Sequence, residues 1–251
     1  MISKLVEYIK ESKSIVFFGG AGVSTESGIP DFRSKDGLYN QHDIRFDDYE
    51  PEYLLSKDCL DNKPEVFYEF YRQKMDVRNI KPNITHKVLA KLEDIGKLTS
   101  VVTQNIDGLH QKAGSKNVHE IHGSTLRNYC PSCGKTYPSD YIFESEEDIP
   151  VCECGNDIIR PDVTLYQEQL PETVFKNAIK DIANADMLIV GGTSLKVYPA
   201  AGIIRYFKGK HMIVINNEEL SMQMGDGDLF IKDSLGNVFK AIDNAIANNF
   251  E

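Results

Sequence analysis

Four of the five cysteines lie between Cys130 and Cys154, as Cys130-x2-Cys133 and, eighteen residues on, Cys152-x-Cys154. Thiolates are soft ligands, and two short pairs joined by a loop offer Zn²⁺ its preferred tetrahedron. Gly134 and Gly155 follow the pairs, where a tight knuckle needs permissive backbone. Cys130, Cys133, Cys152 and Cys154 would fill every coordination position, so one structural Zn²⁺ is expected and no open site for metal catalysis. The second pair is one residue tighter than the usual spacer of about two to four. A second feature is Gly19-Gly-Ala-Gly22, directly after the apolar run Ile15-Val-Phe-Phe18. Glycines there let backbone amides approach a diphosphate. The dehydrogenase fingerprint itself is broken. Thr25 stands where its third glycine belongs, and no strand ending in an acid follows about twenty residues on.

Polar residues also close the later apolar runs. Gln104, Asn105 and Asp107 follow Val101-Val102, Thr193 and Ser194 follow Met187-Leu-Ile-Val190, and Asn216 and Glu218 follow Met212-Ile-Val-Ile215. At the carboxyl edge of an open sheet such side chains suit a ligand's hydroxyls and amides. Read alone, Ser194 equally suits a helix cap, and the Asn105–Asp107 stretch a plain loop. An imidazole titrates near neutrality and can act as a base. Residue type alone does not separate His119 from His122.

These side chains need a framework. Short buried strands alternate with helical patterns: Ile2, Leu5, Val6 and Ile9; Val88, Leu89 and Leu92 after Thr85; Phe175, Ala178, Ile179 and Ile182; a helix opening at Pro199; and Phe239, Ile242 and Ile246. That alternation predicts an α/β fold with a mostly parallel sheet. Two stretches interrupt it. Residues 34–84 are polar and aromatic, with a helix carrying Val66, Phe67, Phe70 and Tyr71 on one face. Residues 128–158 hold the cysteines and the acidic run Glu144-Ser-Glu-Glu-Asp148, which reads as a solvated loop. The expected architecture is a Rossmann-like parallel-sheet domain (1–33, 85–127 and 159–251) with a smaller inserted domain, helical over 34–84 and zinc-binding over 128–158.

Composition narrows the function classes. The chain has 251 residues, 41% hydrophobic and 26% charged, which suffices for a sizeable core. Lys and Arg number 28 against 38 Asp and Glu, a net charge of −10, so direct nucleic-acid binding is not expected. Basic protein segments suit such a surface better. No apolar run reaches the roughly eighteen residues of a membrane helix. The opening MISKLVEYIKESKSIVFF lacks the apolar core of a signal peptide. No membrane association is expected, and a cytoplasmic location is; in that reducing setting a cysteine cluster reads as a metal site before disulfides.

The segment Gly20-Ala-Gly-Val-Ser-Thr-Glu-Ser-Gly-Ile-Pro-Asp-Phe-Arg33 resembles the signature of the sirtuins, the NAD-dependent protein deacylases. Further matches follow in the family's order: Gln104-Asn-Ile-Asp-Gly-Leu-His-Gln-Lys-Ala-Gly114, His122-Gly123, the cysteine pairs, Arg160-Pro-Asp-Val163 through Glu168, Gly191-Gly-Thr-Ser194 and Val214-Ile-Asn-Asn-Glu218. The resemblance spans residues 14 to 240 or so and implies NAD as co-substrate and acetylated lysine in proteins as the other substrate. In the reaction attributed to the family, nicotinamide leaves NAD and the acyl oxygen takes the ribose carbon. A base then draws a proton from a ribose hydroxyl. Lysine, nicotinamide and O-acetyl-ADP-ribose result.

The resemblance makes His122 the base and places Asn105 beside the ribose. It implies cofactor contacts from Gly20, Ala21 and Gly22, from Asp31, Phe32 and Arg33, and from Gln104, Asn105, Ile106, Asp107 and His122. Gly192, Thr193, Ser194, Asn216, Asn217, Glu218 and Asp228 would line the adenosine half. Arg33 suits the diphosphate, Phe32 would cover the reacting sugar, and Ile106 and Asp107 would recognise the nicotinamide amide. The peptide is expected as an added strand between Val163-Thr-Leu-Tyr-Gln-Glu168 and Lys196-Val-Tyr198, touching Val163, Leu165, Tyr166 and Val197. Gln167 stands where relatives often have glycine. Relatives that remove acidic acyl groups carry a tyrosine and an arginine three residues apart. Here Tyr71 is followed by Lys74, Arg72 points elsewhere on the helix, and Asp31 is kept, so acetyl or another short uncharged acyl group is expected. ADP-ribosyl transfer to protein is the rival enzymatic reading, and a nucleotide-sensing scaffold the non-enzymatic one.

Overall fold

The computed structural model describes residues 1–35, 37–220 and 224–249. Strands β1 (Ile15–Gly19), β2 (Leu98–Thr103) and β3 (Val118–Glu120) precede a small sheet of β4 (Gly123–Tyr129), β5 (Thr136–Pro138) and β6 (Arg160–Val163). The chain then returns to the large sheet through β7 (Met187–Gly191), β8 (His211–Asn216) and β9 (Leu229–Lys232). The large sheet runs β3-β2-β1-β7-β8-β9 with every neighbouring pair parallel. Strand order reverses between β1 and β7, so a crevice opens at the carboxyl ends of those two strands, where open α/β sheets bind ligands. The edge strand β3 lacks a continuous apolar run, and β9 has only the short run Leu229-Phe-Ile231.

The helices are α1 (Ile2–Glu11), α2 (Pro51–Leu54), α3 (Lys57–Asn62), α4 (Pro64–Met75), α5 (Ile84–Asp94), α6 (Leu109–Ala113), α7 (Asp140–Phe143), α8 (Glu172–Asn184) and α9 (Leu235–Asn249). Alternation along β1 divides the core. Ile15 and Phe17 pack with Leu5, Leu89, Phe239 and Ile242 from α1, α5 and α9, whereas Val16 and Phe18 face Ala178 and Ile182 of α8. Both faces are covered, and the central strands are accordingly apolar throughout. Each such side chain contributes roughly 1.5–3 kcal/mol when fully buried. The expected helix at Pro199 is a 3-10 stretch, Ala200–Tyr206, with Pro199 as its cap residue.

A third core joins the interrupting stretches. Leu54, Leu60, Phe67, Phe70 and Tyr71 pack with Cys130, Tyr137, Ile142, Cys152, Ile159, Val163 and Leu165. The small sheet enters this unit from Gly123 onward, so β4 carries the chain directly out of the sheet edge. The acidic run is more than a solvated loop: Arg72 donates to the carbonyls of Ile142, Glu147 and Asp148 at 2.9, 2.6 and 3.2 Å, fastening it to α4.

Candidate active site

The strand ends assemble the site. Gly19 of β1 lies in register with Thr103 of β2 and Gly191 of β7. Beyond it, the Gly22 amide donates to the Gly192 carbonyl at 2.8 Å. A Cβ added at Gly20 would sit 2.9 Å from the Thr193 Cβ, and one at Gly22 would sit 2.8 Å from the Gly192 Cα. The glycines expected to clear room for a diphosphate thus also let two strand ends touch. Gln104 Nε2 donates to Thr193 Oγ1 at 3.0 Å, and Asn216 Nδ2 to the Thr193 carbonyl at 3.2 Å. Gly20, Ala21, Gly22, Gln104, Gly192, Thr193 and Asn216 therefore line one edge. Asn217 and Glu218 stand exposed just past β8, and Ser194 is exposed and caps no described helix.

His122 occupies the turn between β3 and β4. Its Nδ1 lies 2.9 Å from the Gln104 carbonyl. A carbonyl only accepts, so Nδ1 carries the proton and Nε2 keeps a bare lone pair. Burial lowers the imidazole pKa below its ordinary value, and the bond to Gln104 opposes that shift. The neutral, proton-accepting form is therefore present at neutral pH. Gly123 beside it has φ +78°, and a Cβ there would strike the Asp162 carbonyl oxygen at 2.0 Å, which explains the His-Gly pairing. His119 points elsewhere: its Nε2 pairs with Asp181 of α8 at 2.7 Å. Tertiary structure separates the two histidines that residue type left equal.

Next to His122, the Asn105–Asp107 turn is over-determined. The Ile106 carbonyl accepts from Thr125 N at 2.9 Å and Thr125 Oγ1 at 3.0 Å. Asp107 is buried and accepts from Leu109 N at 2.9 Å and Ser24 Oγ at 2.6 Å. Asn105 Nδ2 donates to the same Ser24 hydroxyl at 3.1 Å. Burial raises the Asp107 carboxyl pKa, and the bonds from Ser24, Leu109 and Asn105 counter it. In the Asp31, Phe32 and Arg33 segment, Phe32 packs, like Ile106, against the third core. Asp31 Oδ1 accepts from the Arg33 and Ser34 amides at 3.1 and 2.8 Å, and Phe32 packs on Tyr39 with ring centroids 5.4 Å apart.

The expected substrate edge abuts the base, because Thr164 N donates to the His122 carbonyl at 2.9 Å. Not all of it is open to an added strand. Val163 and Leu165 are buried in the third core. The Tyr166 amide donates to Leu55 O and its carbonyl accepts from Lys57 N, both at 3.0 Å. The Tyr166 ring leads away from that edge toward Arg33 and Tyr39. Gln167 adopts φ +74°, the left-handed region that favours glycine. Its Oε1 accepts from Asp58 N of α3 at 3.0 Å. Val197 is half-buried at the mouth of the 3-10 turn, its carbonyl bonded to Ala201 N at 2.8 Å.

The four clustered sulfurs test the metal expectation directly. All lie within 4.8 Å of one another. Cys130 to Cys154 is 3.7 Å and Cys133 to Cys152 is 3.6 Å. Zn–S bonds of about 2.3 Å give a tetrahedron with edges of about 3.8 Å. The donor set fits one structural Zn²⁺, with Cys130 and Cys152 forming part of the third core.

A sequence model of the Sir2 family matches residues 20–199. The chain belongs to the Sir2 family. A Clostridium acetobutylicum relative named NAD-dependent protein deacetylase is 54% identical over 241 residues, 96% of this chain and 97% of its own. One of the same name from Clostridium perfringens is 54% identical over 246 residues, 96% of this chain and 98% of its own. Among solved structures, a Sir2 complex with p53 peptide and NAD+ superposes with TM-score 0.83 at 34% identity, covering 100% of this chain and 99% of that one. A Sir2Tm structure with a propionylated peptide gives TM-score 0.82 at 32% identity, covering 99% and 98%.

Within this Sir2 chain, Asp228 lies away from the carboxyl ends of the strands, and further side chains hold the glycine-rich turn. The Asp228 carboxylate accepts from Met212 N at 2.8 Å and Gly225 N at 2.7 Å, at the amino end of β8, whereas Asn216 ends that strand. At roughly 3.3 Å per residue the two ends lie more than 10 Å apart. Asp233, one residue beyond β9, stands at the edge where Asp228 was expected. Ser24, Asn83 and Glu26 were also missed. Asn83 Nδ2 donates to Val23 O at 2.8 Å, and Glu26 accepts from Gly236 N at 2.9 Å, so both hold the glycine-rich turn. Asn83 is marked locally only as the cap of α5, and nothing local marks Ser24 or Glu26, because the partners lie far along the chain.

Behind the turn, His86 and His110 are buried with ring centroids 4.7 Å apart. Burial lowers the His86 pKa to about 4 and moves His110 in the same direction. An unfolded chain protonates these rings near 6.5, but the folded chain resists. Stability is therefore complete above that value and falls as the pH drops from about 6.5 toward 4. His86 alone contributes a loss of about 3 kcal/mol across that window. Urea unfolding at pH 7 and at pH 4.5 measures it, and His86→Gln is expected to flatten the slope. An equal slope in the variant would remove His86 as the cause.

Proposed function

We propose that the chain is an NAD-dependent protein-lysine deacetylase that splits NAD into nicotinamide and ADP-ribose and moves the acyl group from lysine to the latter. The observation that carries this reading is His122. Its protonated Nδ1 is held by Gln104 O at 2.9 Å, leaving Nε2 bare, while its own backbone carbonyl accepts from Thr164 N of the 163–168 segment at 2.9 Å. NAD supplies an electrophilic ribose carbon when bound. Gly20, Ala21, Gly22, Gly192, Thr193, Ser194, Asn216, Asn217 and Glu218 hold the dinucleotide along the sheet edge, with Asp233 replacing Asp228 there. Arg33 pairs with the diphosphate through its planar fork. Asp107 and the Ile106 backbone orient the nicotinamide amide, with Ser24 and Asn105 fixing the carboxylate. Phe32 covers the sugar against water. His122 Nε2 takes the proton of a ribose hydroxyl, a step worth roughly 10²–10⁴-fold in rate. Asp31 acts by ordering the loop through the Arg33 and Ser34 amides.

Cys130, Cys133, Cys152 and Cys154 hold the Zn²⁺. With all four positions filled, the ion supplies rigidity to the unit that presents the substrate edge, Val163 and Leu165 from beneath and Val197 opposite. The names of the relatives and the peptide and NAD+ beside a Sir2 neighbour support the same substrates. ADP-ribosyl transfer to protein has no need of a base at the ribose hydroxyl, so His122 favours deacylation. A cytoplasmic location suits a four-cysteine cluster built as a metal site, and no described helix is long and apolar enough to cross a membrane.

An uncharged acyl group fits best. Tyr71 is buried between Phe67 and Phe143, Lys74 donates to Gln41, and Arg72 is engaged by three carbonyls. Arg72 and Lys74 are thus engaged elsewhere, and the Tyr71 hydroxyl, buried without a partner, has no cation beside it to pair with a distal carboxylate. The deciding experiment incubates acetyl-, propionyl- and succinyl-lysine peptides with and without NAD and weighs the products. Deacylated peptide and O-acyl-ADP-ribose should form only with NAD, with acetyl preferred over succinyl by at least tenfold. A peptide gaining the mass of ADP-ribose would establish the transferase instead, and a succinyl preference would overturn the acyl assignment.

A further inference from the structure

Tyr166 was expected to serve the peptide, yet its side chain reaches the opposite partner. Its hydroxyl oxygen accepts from Arg33 Nη2 at 3.0 Å and lies 2.8 Å from the Tyr39 hydroxyl. Arg33 also stands over the Tyr39 ring, 5.5 Å from its centroid, and its Nη2 lies 3.7 Å from Glu52 Oε1. The Tyr166 backbone is pinned on both sides, to Leu55 O and Lys57 N. Beside it, Gln167 caps α3, and Glu168 accepts twice from Arg160, at 2.7 and 2.9 Å, and from Leu165 N at 2.9 Å. The hydroxyl is thus a fixed point on a rigid turn. The loop it reaches is built differently: residues 31–34 and 38–39 are tied mainly to one another, through Asp31 and through Leu38 N and Tyr39 N.

We propose that the Tyr166 hydroxyl is a positioning group that links the two substrate sites, holding the Arg33 guanidinium ready for the dinucleotide from the segment that meets the peptide. This rests on the reading of Arg33 as the diphosphate ligand. A guanidinium has five donors, and the bond to Tyr166 uses one of them. Without the bond, NAD must order the Arg33 side chain and its loop on binding, and ordering opposes affinity. A peptide seated along 163–168 lies against the turn that carries Tyr166 and favours the arrangement in which the hydroxyl holds Arg33, so the two ligands bind cooperatively through this hydroxyl.

Tyr166→Phe keeps the ring and removes the bond. The variant is expected to raise the KM for NAD roughly five- to tenfold, the size of one net hydrogen bond. Its kcat and peptide KM should change less than twofold, and its melting temperature without ligand should be unchanged. Titration of NAD in the presence and absence of acetyl-peptide should show the peptide's enhancement of NAD affinity in the wild type and its loss in the variant. Arg33→Gln separates the premises. If it leaves the NAD KM unchanged, the diphosphate reading fails and takes the proposal with it. If Arg33→Gln weakens NAD while Tyr166→Phe does not, the proposal alone fails. The double variant should be no weaker than Arg33→Gln, because the hydroxyl acts only through that side chain; additive losses would also overturn it.

Discussion

Replacing His122 with alanine is expected to lower kcat/KM for deacylation by roughly 10²–10⁴-fold while leaving the fold intact. The ring is only half-buried, and its one hydrogen bond is to the Gln104 carbonyl, which solvent can satisfy in the variant. Zinc content and melting temperature should therefore match the wild type, and NAD should still bind. The pH profile supplies a second readout. A base works when deprotonated, and burial depresses this imidazole below its ordinary value. The wild-type acid limb should lie below pH 6.5, the usual histidine value. Near-normal turnover of His122→Ala would refute the base; an acid limb well above that pH would refute its environment.

Loss of the metal is the second large effect. Structural zinc sites bind with apparent free energies of about 10–16 kcal/mol, comparable to or greater than the roughly 5–15 kcal/mol that holds a whole domain folded. Cys130 and Cys152 are also packed in the core that includes α4, Val163 and Leu165. Cys130→Ser, or a strong chelator applied to the wild type, is expected to unfold this unit and abolish deacylation although no cysteine belongs to the catalytic corner. Metal analysis should find one zinc per wild-type chain and little in the variant. Circular dichroism and the melting transition report the unfolding. Zinc-free protein with an unchanged transition would show that the sulfurs need no metal.

Periodicity gave the central strands correctly because they are buried on both faces. Ile15–Phe18, Met187–Val190 and Met212–Ile215 are apolar without interruption, the mark of strands covered on both sides. The zinc ligands were legible for a related reason: tetrahedral coordination restricts spacing as well as residue type. Ser24 and Glu26 carry no such local restriction, Asn83 shows only its helix-cap position, and their roles at the turn come from partners brought near by folding. Asp228 failed for a directional reason. An acid near a strand suggests an edge, but only the parallel register of β8 and β9 says which end of the sheet the ligand occupies.

From residue order alone follow the alternation of strands and helices, the metal cluster and the ordered set of motifs, since each is a repeat or a spacing written along the chain. Residue type left His119 and His122 equal and the His-Gly motif chose between them; the tertiary structure supplies the physical reason, committing one ring to Asp181 and bonding the other to the Gln104 carbonyl. Only the tertiary structure decides the part of Tyr166, whose backbone belongs to the substrate turn and whose hydroxyl belongs to the cofactor loop. Hydrogen-bond partners more than a hundred residues apart leave no trace in local pattern, because their meeting is set by how whole elements pack.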